Sequence, residues 1–280
     1  MLSIKGLNKH YQNFSVENVT FDIPEGTVVG LIGENGAGKS TVIKCILGAV
    51  HPDGGEILLD GKSINRLSKS EKQKISFVFD DMGLPVELNL DMLGKVLSNV
   101  FERWNNEKFM QLVQKFGLPE KKVIKEFSKG MKMKAAIAVS LSYDSHILIL
   151  DEPTGGLDPV VRDEILELIY DYNRQEKHAA LISSHITSDL EKICDYIVYL
   201  HGGKVLYNEE KHELIGMYGI YCDNDRQHDE HDKTALVRVL SREYGTDILA
   251  IKQKMPRDFE FKPANLDDIM LFYSKGESVC

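Results

Sequence analysis

Only four cysteines (Cys45, Cys194, Cys222 and Cys280) occur in 280 residues, and none forms a C-x-x-C pair. That excludes a recognisable disulfide framework or thiolate metal site, and reduced thiols are expected. No apolar run is long: VVGLIG at 28–33 and ILIL at 147–150 fall far short of the roughly 18–20 residues that cross a bilayer. Any membrane role therefore has to come through a partner. Acidic residues outnumber basic ones, and a net charge of −9 disfavours nucleic acid or an anionic membrane surface as the main target. The opening MLSIKGLNKHYQ is mixed, with no charged-then-apolar leader pattern, and neither an internal repeat nor a low-complexity tract is evident. What remains is an ordinary globular composition, 42% hydrophobic and 28% charged, long enough for one large domain or two modest ones.

Period-two alternation in FSVENVTFDI (14–23), then the apolar TVVGLIG and the short GGEILLDG (54–61), predicts strands between turn signals. SKSEKQK (68–74) reads as a short exposed helix feeding the strand ISFVF (75–79). From about 84 to 145 the pattern is helical, with apolar residues at three- and four-residue steps in LDMLGKVLSNVFERW and EKFMQLVQKFGL. Strands then alternate with helices through HILIL, VRDEILELIYDYNRQ, AALISS, ITSDLEKIC and DYIVYL, which argues for a parallel α/β core. After HGGK (201–204), a small α/β appendage of two strands and two helices is expected, ending in LDDIMLFYSKG.

Chemistry concentrates at three places. GENGAGKST (33–41) fits G-x-x-x-x-G-K-[ST] between a buried strand and a helix, the context that motif requires. Backbone N–H groups of Asn35, Gly36, Ala37, Gly38, Lys39, Ser40 and Thr41 can wrap a β-phosphate. Lys39 adds charge for the β and γ oxygens, and the Ser40 hydroxyl can ligate Mg²⁺. In ILILDEP (147–153) an apolar strand delivers Asp151 to the sheet edge as a second Mg²⁺ ligand, while Glu152 suits a general base towards water. SSHI (183–186) places His185 at the same edge. A further phosphate-facing feature is EFSKGMKMKAAIAVSL (126–141), where Ser128 reads as an N-cap and Gly130 opens the first turn of a helix whose N–H groups attract anions.

GENGAGKST, FSKGM, ILILDEP, GGLD and SSHI together resemble, in order and spacing, the ATP-binding subunits of ABC transporters, over roughly residues 1–215. The resemblance implies a P-loop NTPase α/β fold: a parallel-sheet core with an antiparallel β layer, an inserted helical subdomain (84–145), and a small C-terminal α/β extension (216–280). It implies ATP and Mg²⁺ as cofactors. It also implies head-to-tail pairing with a second copy or a related ATPase subunit, so that Ser128, Lys129 and Gly130 meet the ATP held by the opposite chain. Asp158 then matches an aspartate that crosses the pair's interface, His185 a histidine on the γ-phosphate, and Tyr11 an aromatic that stacks on adenine. Separate transmembrane permease subunits would be driven from the inner face of the cell membrane, with the chain itself cytoplasmic and binding no nucleic acid.

Two departures from the family pattern stand out. Asp80 occupies the place of a glutamine that touches Mg²⁺ and water; it is either a metal ligand with altered coupling or, with Asp81, a polar turn. Lys129 and Met131 replace the usual glycine and glutamine, and this S-K-G-M form resembles a subgroup of bacterial exporters of drugs, antimicrobial peptides or lipidic molecules. Export of peptides, drugs or amphipathic compounds is therefore the expected task. A soluble ATPase switch without transport, or an importer subunit, is the alternative. DMGLPVELNL and Trp104 are candidate permease contacts, with Trp104 better read as core. DNDRQHDEHD (223–232) reads as a solvated acidic loop rather than a metal site, and the final helix as a stabiliser of the pair.

Overall fold

The computed structural model describes residues 2–80, 83–174, 178–223, 234–242, 245–257 and 259–278. They fall into two compact units, Met1–Asn208 and Glu209–Cys280. The border expected at 215/216 lies inside the helix Lys211–Met217 of the second unit.

The first unit opens with strands β1 (Leu2–His10) and β2 (Ser15–Ile23), then β3 (Val28–Ile32) and helix α1 (Lys39–Ile46). β4 (Gly54–Leu59), β5 (Lys62–Ser63), the single turn α2 (Lys69–Lys72) and β6 (Ile75–Val78) follow. Three helices, α3 (Leu90–Leu97), α4 (Asn106–Lys115) and α5 (Lys129–Ser140), precede β7 (Ile147–Asp151) and α6 (Pro159–Asn173). β8 (Ala179–Ser184), α7 (Thr187–Ile193) and β9 (Tyr196–His201) follow, and β10 (Lys204–Glu210) runs across the border into the second unit.

Two sheets result: an antiparallel layer ordered β2-β1-β4-β5, and a six-stranded sheet ordered β10-β9-β3-β8-β7-β6 whose strands from β9 to β6 run parallel. Every residue of β3 and β7 is buried, as continuous apolar strands covered on both faces must be. Register matters more than burial for the site. Ile32 stands opposite Ser184, Asp151 opposite Ser183, and Val78 opposite Leu150. The carboxyl ends of four strands thus lie side by side, the edge at which open α/β sheets bind ligands. Both the parallel core and the antiparallel layer agree with the sequence expectation. β1, which that reading did not single out, pairs with both β2 and β4 and so forms the middle of its layer.

The helical segment has a core of its own, built from Leu90 and Leu93 of α3, Phe109 and Val113 of α4, and Ala135 and Ala138 of α5. Trp104 packs against this cluster, 5.2 Å from the Phe109 ring, as its core reading anticipated. The helix expected across 90–104 stops at Leu97. Just beyond it, the Ser98 hydroxyl and the Asn99 amide both donate to the Lys95 carbonyl, taking a group that a further helical turn would need.

The second unit is richer in strands than expected. After α8 (Lys211–Met217) come β11 (Tyr218–Asp223), β12 (Leu236–Arg242), β13 (Gly245–Ile251), β14 (Lys262–Pro263), α9 (Leu266–Lys275) and β15 (Glu277–Ser278). The strands form one antiparallel sheet ordered β14-β11-β13-β12-β15. Apart from Asp223, the acidic run DNDRQHDEHD lies outside the described residues. Among those described, no helix is long and apolar enough to cross a membrane.

Candidate active site

The chain leaves β3 at Ile32 and turns at Gly33, where a side chain would collide with the Leu200 carbonyl of neighbouring β9. It re-enters helix at Lys39 after Gly38, which takes φ 108° and offers no side-chain cap. The first N–H groups of α1 are thus left for a ligand, and the helix dipole adds positive potential there. The loop is stitched from outside by the turn between β9 and β10. Gly203 N–H donates to Ala37 O at 3.2 Å, while Gly203 O accepts from Glu17 N–H at 2.9 Å. At φ 79° and against the Ser15 carbonyl, position 203 has room only for glycine.

A cleft of about 460 Å³ opens over this loop, bounded by Asn35, Gly36, Gly38 to Thr41, Glu152 and the Phe14 ring. Lys39 is 6% exposed, unusual for a lysine, and its ammonium is matched by acceptors: Gly33 O at 2.7 Å, Glu34 O at 3.3 Å, and Glu152 Oε1 at 3.4 Å. Ser40, by contrast, is exposed.

Asp151 ends β7 almost wholly buried, and the Ser183 hydroxyl on the adjacent strand donates to its Oδ1. Glu152 N–H donates to Ser183 O and Oγ, both at 3.1 Å, which turns the backbone to φ 51°. That left-handed conformation is uncommon for a long side chain and aims the Glu152 carboxylate across the strand ends. Its Oε1 faces Lys39, and its Oε2 lies 2.7 Å from His185 Nδ1. Lys39, Glu152 and His185, three residues from three motifs, thus form one contiguous chain of charge-bearing groups. A carboxylate held this way, between the phosphate-loop lysine and a half-exposed imidazole, is placed to take a proton from water beside a γ-phosphate.

The donors available to a cation are a hydroxyl, Ser40, and a carboxylate, Asp151. Among the described residues no cluster of three or more histidine, cysteine or acidic side chains could hold a metal by itself. Few, hard oxygen ligands suit Mg²⁺, which usually completes its shell with water and substrate phosphates, so the residues present fit that ion.

The start of α5 carries the second glycine-bearing helix start that the sequence singles out. Ser128 is its N-cap, accepting from Met131 N–H at 3.2 Å, and the first turn holds no acidic residue. Gly130 lies close to Val161 of α6, leaving no room for a side chain without displacement. Asp158 caps α6 by accepting from Val161 N–H at 3.1 Å, with Pro159 in the first helical position where its missing N–H costs nothing. Asp80 does not stand alone at the sheet edge, because its Oδ1 lies 3.1 Å from Lys129 Nζ.

Tyr11 is 48% exposed, with Lys9 Nζ 5.8 Å from the ring centroid. Phe14, three residues on, is the aromatic that borders the cleft. Sequence reasoning missed it because a phenylalanine opening an alternating strand looks like core. Also missed was a buried network behind the site. Asp189 of α7 accepts from Thr154 Oγ at 2.6 Å and from Arg162 Nε at 2.5 Å, and Arg162 also donates to Ser188 Oγ at 2.8 Å. It fastens the turn after Glu152 to the helix after His185.

A phosphate loop between buried strand and helix, with a lysine and an acidic strand end converging on it, defines a P-loop nucleoside triphosphatase. Residues 16–155 match the family model described as ABC transporter. A lantibiotic transport ATP-binding protein of Streptococcus pyogenes is 36% identical over 213 residues, 75% of this chain and 91% of that protein. An uncharacterized ABC transporter ATP-binding protein of Bacillus subtilis is 30% identical over 270 residues, 93% of this chain and 87% of the relative. A solved ATP-binding subunit of an ABC transporter superposes with a TM-score of 0.70 at 30% identity, over 76% of this chain and 91% of that one. The chain belongs to the ABC transporter family, as an ATP-binding subunit and ATPase.

Proposed function

We propose that the chain hydrolyses ATP within a head-to-tail pair and thereby drives separate membrane permease subunits that export a peptide or another amphipathic compound. The observation that carries the chemistry is Glu152, held 3.4 Å from Lys39 Nζ and 2.7 Å from His185 Nδ1. Triphosphate arriving over Asn35 to Thr41 replaces Glu152 as the counter-charge of Lys39 and frees the carboxylate for water. Glu152 then takes a proton as the water oxygen attacks the γ-phosphorus, the bridging P–O bond breaks, and ADP leaves with the electron pair. His185 steadies the Glu152 carboxylate through Nδ1 and turns its other ring nitrogen to the γ-phosphate. Mg²⁺, held by Ser40 and Asp151, would supply charge neutralisation at the β and γ oxygens. Phe14 or Tyr11 provides the apolar face for adenine.

Ser128, Lys129 and Gly130 complete the ATP site of the opposite chain, and Asp158 lies at the contact between the two. Support comes from a capped, solvent-facing helix start whose own anion is missing from its first turn. Peptide cargo is favoured by the lantibiotic transport relative, which is 36% identical over 213 residues.

The test is light scattering of full-length Glu152→Gln with and without Mg-ATP. A pair that forms only with ATP is expected, because turnover is blocked while binding is kept. A monomer under both conditions would sink self-pairing and point to a different ATPase subunit as partner.

A further inference from the structure

Two of the positions at which this chain departs from its family's pattern, Asp80 and Lys129, touch each other. Asp80 follows β6 and Lys129 is the first residue of α5, yet Lys129 Nζ and Asp80 Oδ1 are 3.1 Å apart. The same ammonium lies 3.4 Å from the point where a side chain on Gly156 would begin, so it sits against the GGLD turn that leads to Asp158. A lysine at the positive end of a helix dipole, in a first turn without an acidic residue, is electrostatically out of place. Asp80 supplies the missing negative charge from another part of the chain. The pair is open to solvent, at 43% and 59% exposure, so water, salt and competing anions can reach it.

We propose that Asp80 acts through Lys129 rather than on the metal. In the nucleotide-free chain it holds the ammonium in reserve, and the triphosphate on the opposite chain's loop has to draw Lys129 away before the pair closes. This rests on the head-to-tail reading above. A flexible lysine stem with three donors allows that transfer. The several negative charges of a triphosphate outbid one carboxylate, so the hand-over runs towards the closed pair. Asp80 is then a positioning residue that raises the ATP concentration needed for closure, and the two departures are one device.

Four full-length proteins test it, all carrying Glu152→Gln: the parent, Asp80→Asn, Lys129→Met and the double substitution, titrated with Mg-ATP by light scattering. Asp80→Asn should pair at about two- to fivefold lower ATP, the scale of one exposed ion pair, and Lys129→Met at higher ATP. Asp80→Asn should add nothing once Lys129 is gone. A midpoint that rises in Asp80→Asn, an effect that persists without Lys129, or a raised Mg²⁺ requirement in Asp80→Asn alone would overturn the proposal. Acylation of Lys129 by acetic anhydride without nucleotide, read by mass spectrometry, gives a second measure. Faster labelling in Asp80→Asn supports the pair, and equal rates overturn it. If no variant pairs, self-pairing fails and the hand-over between identical chains with it, while the labelling still decides whether the ion pair forms.

Discussion

The phosphate loop and the start of α5 are both helix N-termini without an acidic residue in the first turn, yet they are finished to different degrees. At the loop, Lys39 is buried and its ammonium is shared among two backbone carbonyls and Glu152. At α5, Ser128 and Lys129 are exposed; one caps its own helix and the other leans on a carboxylate borrowed from the end of β6. The first is a half-site whose parts hold one another in place before any ligand arrives. The second offers solvent a ready cap and a loosely held cation, with nothing beyond one exposed ion pair to fix the lysine.

Replacing Glu152 by Gln attacks the finished half and carries the largest expected effect. Turnover should fall by roughly 10²–10⁴ with nucleotide affinity retained, measured by single-turnover phosphate release and fluorescent-nucleotide titration. A loss below tenfold would mean that another group takes the proton. Asp189→Ala comes next, because it leaves the buried Thr154 hydroxyl and Arg162 Nε without the carboxylate they share. Removing one partner of a buried pair costs about 3–5 kcal/mol, and the part-exposed Arg162 brings the expected loss to about 2–3 kcal/mol in urea unfolding. Turnover should also drop as the 154–158 turn loosens, and an unchanged urea midpoint would discard the network.

Ser128→Ala probes the unfinished half. Loss of the cap should cost about 1 kcal/mol of stability. ATP-driven pairing of the Glu152→Gln chain should weaken while nucleotide affinity of the single chain holds. Weakened affinity without a change in pairing would place Ser128 in its own chain's site instead. The smallest effect is a control at the other edge of the sheet. Burial pushes the His178 imidazole below its ordinary 6.5. The folded state therefore resists protonation: stability is level above about pH 6.5 and declines as pH falls towards the lowered value. His178→Gln should flatten that decline in thermal unfolding measured from pH 7.5 to 5. A decline equal to that of the parent would assign the acid sensitivity elsewhere.

Much of the fold and the finished half-site is readable from short contiguous motifs, since GENGAGKST, ILILDEP and SSHI each sit where a buried strand ends. Local sequence carries strand, loop and chemistry together there, and the register between strands does the rest. Contacts made by chain segments that return from far away are not readable in that manner. Phe14 gains its place at the cleft only because β2 lies beside the loop, and Asp189 matters only because α6 and α7 meet. Asp80 and Lys129 were both visible as oddities, but nothing in their spacing says that one neutralises the other. In the second unit, strands such as LVRVLSR and GTDILAI mix charged and apolar residues along one face, and the period-two signal that marks β2 is weakened.

The turn at Gly203, which joins Ala37 of the loop to Glu17 of β2, has a thermodynamic consequence. A glycine-rich loop left to itself would sample many backbone states, and a ligand would have to quench them. Here that conformational entropy is surrendered when the chain folds, not when nucleotide arrives. ATP meets a cradle already set, so little of its binding free energy goes into ordering the receptor and more remains for drawing two chains together.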